Sequence, residues 1–133
     1  MKELLLKTNH EINVVLGVFS DPDFSLPRII PGYGSHTRSG ASFQVIGVLG
    51  IYPYAMEGRV MGTSIVRYVF RFIDGLNGNG FIEISRAGDK VRFFTDYDGD
   101  QKASFESSFE KMIKKLSKTL DEEVRLERIR RKI

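Results

Sequence analysis

The chain has 133 residues, 41% hydrophobic and 28% charged, with 20 basic and 17 acidic side chains and a net charge of +3. That is the length of one ordinary domain with enough apolar material for a core, and the absence of cysteine excludes a disulfide framework, a thiolate metal site and cysteine catalysis. No apolar run approaches the ~20 residues of a membrane span. The opening "MKELLLKTNHE" holds too short an apolar patch for a secretory signal, so a soluble cytoplasmic protein without integral membrane contact is expected.

Residues 2–8, "KELLLKT", fit a first strand. Thr8 and Glu11 then have the spacing of a capping box for a helix over 12–20, "INVVLGVFS", which is apolar on most sides and so reads as buried. In "DPDFSLPRII" Asp21 is an N-cap and Pro22 takes the first helical position, where its missing N–H costs nothing. Pro27 is expected to break or kink this second short helix, Pro31-Gly32 ends it, and Phe24, Leu26, Ile29 and Ile30 face inward.

From Tyr33 the period changes to two. Strands are expected over 33–38, 41–50, within 52–62, and over 64–74, 81–88 and 90–98, with "GLNGNG" (75–80) as a turn. In the clearest of them Val66, Tyr68, Phe70 and Phe72 share one face. The other mixes Arg67 and Arg71 with Ile65, Val69 and Ile73. Asp98 or Asp100 can cap a closing helix from about Gln101 to at least Val124. Phe105, Phe109, Met112, Ile113, Leu116, Leu120 and Val124 recur at three and four residues and form its buried stripe. Leu126, Ile129 and Ile133 fall about 100° or more off that stripe. The segment 125–133 therefore overhangs the sheet: the helix bends, a second subunit covers it, or the tail frays.

The order strand, two short helices, six antiparallel strands, long helix, with "FSDPDFSLPRIIPG" (19–32) at its start, resembles the START-like (SRPBCC, Bet v 1-like) helix-grip superfamily. It is similar to the small G-type proteins associated with carbon monoxide dehydrogenase and suggests an archaeal branch. The resemblance implies an α+β fold: one START-like domain over 1–133, in which a curved seven-stranded antiparallel sheet wraps a long C-terminal helix. It also implies a cavity between sheet and helix for a small hydrophobic or amphipathic ligand, lipid-like, isoprenoid or aromatic. The lining expected from the inward positions is Phe24, Ile30, Tyr54, Met56, Tyr68, Phe70, Phe72, Phe93, Thr95, Tyr97, Phe109, Met112, Ile113 and Leu116.

No catalytic motif carries over. His10 and His36 read as surface or rim residues, no ligand cluster has metal spacing, and "DYDGDQ" (96–101) has its glycine two positions too early for a calcium loop. Tyr68, Tyr97 and Ser85 are the interior polar candidates for an alternative, a polyketide cyclase or dehydratase. A binding protein without cofactor or metal is the leading expectation. A homodimer through Leu126, Ile129 and Ile133 is compatible with it, and nucleic-acid binding is disfavoured by the slight charge.

Overall fold

The computed structural model describes residues 1–133, in the order β1 (Lys2–Lys7), α1 (Ile12–Phe19), α2 (Pro22–Ile29), β2 (Tyr33–Ser39), β3 (Ser42–Leu49), β4 (Tyr52–Met61), β5 (Val66–Asp74), β6 (Gly78–Ala87), β7 (Lys90–Gly99), α3 (Lys102–Ser117) and α4 (Leu120–Arg131). The seven strands form one antiparallel sheet in the order β1-β7-β6-β5-β4-β3-β2. The α+β class and the curved antiparallel sheet are those expected. Alternation places Phe43 and Val45, Tyr54 and Met56, Tyr68 and Phe70, Ile82 and Ile84, and Phe93 and Tyr97 on the inner face. There they meet Phe105, Phe109, Ile113 and Leu116 of α3 in one buried cluster.

Asp21 caps α2 as expected, its carboxylate accepting from the Asp23 N–H at 2.9 Å, with Pro22 at the first helical position. Pro27 does not break the helix, which runs on to Ile29. The bend between α1 and α2 is fixed from inside the molecule. The Phe19 carbonyl, left without an intrahelical donor at the end of α1, accepts from Ser25 Oγ and from Tyr68 Oη of β5, each at 2.5 Å.

Three local expectations are corrected. Thr8 does not cap α1; its hydroxyl donates to Asp121 Oδ1 of α4 at 2.6 Å, and Glu11 occupies the cap position without a side-chain bond. The turn after β5 is only 75–77, because Gly78, Asn79 and Gly80 pair with Gly99, Asp98 and Tyr97. Gly80 is required there, since a Cβ would lie 2.4 Å from the Asp96 carbonyl oxygen. Neither Asp98 nor Asp100 caps α3: Gln101, in the left-handed region at φ 58°, holds the cap position, and Asp100 Oδ2 accepts from the Asn77 N–H.

The long C-terminal helix is two helices, broken at Lys118–Thr119. The break falls inside the stretch expected to be one helix, 101–124, and not in the tail 125–133, where a bend was one of three outcomes expected. α4 turns across α1 and α2, burying Leu120 and Val124. Polar contacts reinforce the seat: Arg28 with Glu123 at 2.9 Å, Arg131 with Asp21 at 3.0 Å, and Asp121 Oδ2 accepting from the Asn9 N–H at 3.0 Å. Leu126, Ile129 and Ile133 point away from this seat and are 53%, 61% and 62% exposed.

Candidate functional site

The inner sheet face and α3 bring the expected lining together. Phe24, Ile30, Tyr54, Met56, Tyr68, Phe70, Phe72, Phe93, Thr95, Tyr97, Phe109, Ile113 and Leu116 are all buried; Met112 alone is half-buried, at the flank of α3. The lining is closed rather than open. A side chain that walls an empty cavity shows surface to it, and Ile30, Met56, Tyr68, Phe93, Thr95, Tyr97, Phe109 and Ile113 show none. The expected open cavity is filled by rings. Tyr97 stacks on Phe105 at 4.5 Å between centroids, Phe105 on Phe70 at 5.5 Å, and Phe72 meets Tyr54 and Tyr97 edge-on at 5.0 and 5.7 Å. Sequence could not show this, because a packed core and a cavity wall present the same alternation of residue types.

The interior hydroxyls are all tied to backbone carbonyls. Tyr54 Oη donates to Pro31 O at 2.6 Å, Tyr68 Oη to Phe19 O, Thr95 Oγ1 to Phe81 O at 2.9 Å, and Tyr97 Oη to Asp100 O at 2.6 Å. Burial pushes the phenols of Tyr54 and Tyr68 well above their ordinary range and that of Tyr97 up to about 12. Neutral phenols whose protons are held by carbonyls are poor acids and poorer bases, and no carboxylate or histidine bonds to them. Ser85, the third interior candidate, falls on the face opposite to Ile82 and Ile84, across from Arg92.

At the end of the sheet where β3 turns into β4 and β5 into β6, the short turn 75–77 carries a core residue. Leu76, at the tip of the β5–β6 turn, is 5% exposed. The turn is hung by Asn77: its N–H donates to Asp100 Oδ2 at 3.0 Å and its carbonyl accepts the Asp100 N–H at 2.8 Å. Tyr97 Oη also lies within 3.3 Å of the Asn77 carbonyl, and its ring packs on Phe105 and Phe72.

The two histidines have polar neighbours. His36 Nε2 lies 2.8 Å from Asp23 Oδ1 and Nδ1 lies 2.7 Å from Tyr33 Oη, so the ring bridges the carboxylate and the phenol. The hydrogen bond from His36, with the charge of Arg38, holds the Asp23 carboxyl below its usual range. This chain links the start of α2 to β2. His10 Nε2 meets the Asp121 carbonyl at 2.8 Å, beneath α4. No group of three or more His, Asp or Glu is placed to hold a metal ion, and no helix is long and apolar enough to cross a membrane.

A feature not foreseen is an open trough of about 960 Å³ on the outer face of the sheet. It crosses β2 to β6, with Gln44, Glu57, Arg59, Val69, Arg71 and Phe81 among its walls. Glu57 and Arg71 are paired across it. The outward alternation of these residues was visible in the sequence, but the hollow comes from the twist of the whole sheet.

A family model described only as "-like" matches residues 1–133. Among solved structures, a hypothetical protein from Sulfolobus tokodaii is 31% identical, with a TM-score of 0.87 and 100% of each chain covered. Protein CV1439 from Chromobacterium violaceum is 19% identical with a TM-score of 0.59, over 87% of this chain and 93% of that one. TTHA0849 from Thermus thermophilus is 15% identical with a TM-score of 0.60, over 92% and 94%. The last two share the fold alone. No curated protein matches.

Proposed function

The chain belongs to the family whose model spans it, and shares that family with the Sulfolobus tokodaii hypothetical protein; on this footing we propose that it is a START-like, cytoplasmic, non-catalytic binding protein. Its sheet–helix interior takes a small hydrophobic or amphipathic molecule by opening at the β5–β6 turn, and closes on its own aromatic rings when empty. The observation that carries this reading is the weakness of the closure. Leu76 joins the buried core from a turn of only three residues, 75–77, and that turn is held by two bonds between Asn77 and Asp100.

Exposing one leucine costs ~1.5–3 kcal/mol, a cost that a ligand burying a few hundred Å² of apolar surface readily offsets. The apparent dissociation constant is raised by the fraction of time the site is closed. Leu76→Ala therefore tightens binding of an anilinonaphthalene sulfonate dye by on the order of tenfold if it removes ~1.4 kcal/mol of closing energy. Dye binding by the wild type, strengthened in Leu76→Ala and abolished by the filling variant Ile113→Trp, is the expected result. No dye binding by either the wild type or Leu76→Ala, in folded protein, overturns it. The tied hydroxyls and the lack of an acid–base pair beside them disfavour the cyclase alternative.

A further inference from the structure

We propose that the outer face of β3, β4 and β5 is an interface for a second copy of this chain. An antiparallel sheet facing water on one side carries polar residues there. On β6 and β7 the outer face carries Glu83, Arg92 and Asp96, the first two joined at 3.0 Å, and its rings Phe81 and Phe94 are covered by the guanidinium groups of Arg67 and Arg92. β3 to β5 break that rule toward the turn end. Ile46 is 58% exposed, Val48 51%, Ile73 46%, and Ile51 in the β3–β4 turn 83%. Ile46 stands opposite Ala55, Val48 opposite Pro53, and Ile73 lies beside the bulge at Ala55, so these side chains form one continuous surface.

The size of the patch fits a dimer. Four large side chains exposed to this degree present on the order of 400 Å², within the range of the largest patches on monomers, which are often functional. A standard interface buries roughly 800 Å² per partner, about 65% of it apolar in homodimers, which asks for roughly 500 Å² of apolar surface. The polar remainder lies next along the same strands, where Gln44, Glu57 and Arg71 of the trough border the patch and Arg59 carries a charge with no ion-pair partner.

Charge selects the occupant. The border carries both signs, and the turn end of the molecule adds Asp74, Asp98 and Asp100. An anionic membrane or a nucleic acid needs a surface of one positive sign. An apolar face bordered by both signs can pair with its own copy about a two-fold axis. The stripe Leu126, Ile129 and Ile133 on α4 is the rival dimer surface. It is one residue wide and flanked by Arg125 and Arg130, and it offers only about half the apolar area a dimer of standard size needs.

Sedimentation velocity and light scattering of the full chain at micromolar to 100 µM-scale concentrations test this. The wild type and Ile129→Lys are expected to be dimers. Ile46→Lys and Ile73→Lys are expected to raise the dissociation constant by more than about tenfold each and to be monomeric together. Both positions are already exposed, so their melting temperatures should stay near the wild-type value. A wild type that is monomeric throughout, or a dimer that survives Ile46→Lys with Ile73→Lys, overturns the proposal. So does a dimer lost in Ile129→Lys.

Discussion

The carbonyl of Phe19 offers a sharp test of how the helical wall is held to the sheet. It ends α1, has no backbone donor, and accepts two buried hydroxyls, Ser25 Oγ and Tyr68 Oη. Tyr68→Phe removes one hydroxyl and leaves the ring in place, so no cavity forms. The carbonyl keeps Ser25, and the loss is that of one ordinary hydrogen bond, ~1 kcal/mol. Ser25→Ala costs about the same for the same reason, with Tyr68 as the remaining donor. The double variant leaves the carbonyl buried without any partner and adds a desolvation penalty of ~1–3 kcal/mol. The two losses are therefore not additive, and a double-mutant cycle by urea denaturation should return a coupling of ~1–2 kcal/mol. By thermal melting, the double variant should lose roughly 9–20 °C, at ~3–5 °C per kcal/mol for a chain of this size. Strictly additive losses would refute the reasoning, and so would a single variant that costs more than about 3 kcal/mol.

Other variants probe the sheet, the helices and the charges. Gly47→Ala would place a Cβ 2.2 Å from the Gly32 carbonyl oxygen and 2.7 Å from Tyr54 Oη. A loss of ~2–3 kcal/mol is expected in chemical denaturation, since backbone cannot yield as a side chain can. Gly17→Ala, inside α1 with nothing within 4 Å of the new methyl, should instead stabilise by ~0.5–1 kcal/mol. Phe109→Ala removes a fully buried ring from α3 and should cost ~3–5 kcal/mol. Hydrogen bonds from Arg130 and then Arg131 hold the Glu127 carboxyl at about 2. Its folded value lies below its unfolded one, so its stabilising effect is complete above about pH 4.5 and is lost as pH falls toward 2. Melting curves from pH 6 to 2 should show a shallower acid decline in Glu127→Gln than in the wild type.

The strands were legible because Tyr68, Phe70 and Phe72 alternate with Arg67 and Arg71, and a period of two fixes both the element and its inward face. The cap at Asp21-Pro22 was legible because its chemistry is local. The features that escaped depend on distant partners. Lys118 and Thr119 contain no helix breaker; the break appears because Leu120, Val124 and Arg131 find α1 and α2 only if the chain turns. Thr8 had the spacing of a cap, but Asp121, more than a hundred residues later in the chain, takes its hydroxyl. Gly78 and Gly80 read as a turn because glycine signals turns, yet there it permits close pairing with β7. Alternation tells which side chains point inward. Whether Tyr97, Phe105 and Phe70 touch or stand apart depends on the distance from α3 to the sheet, which no periodicity encodes.

The most direct test of the binding role is native mass spectrometry of the purified full chain, followed by solvent extraction and identification of whatever is released. The account predicts a defined small adduct, apolar or amphipathic, that disappears on denaturation and whose occupancy rises in Leu76→Ala. A bare mass for both the wild type and Leu76→Ala, prepared from the same cells, would contradict it.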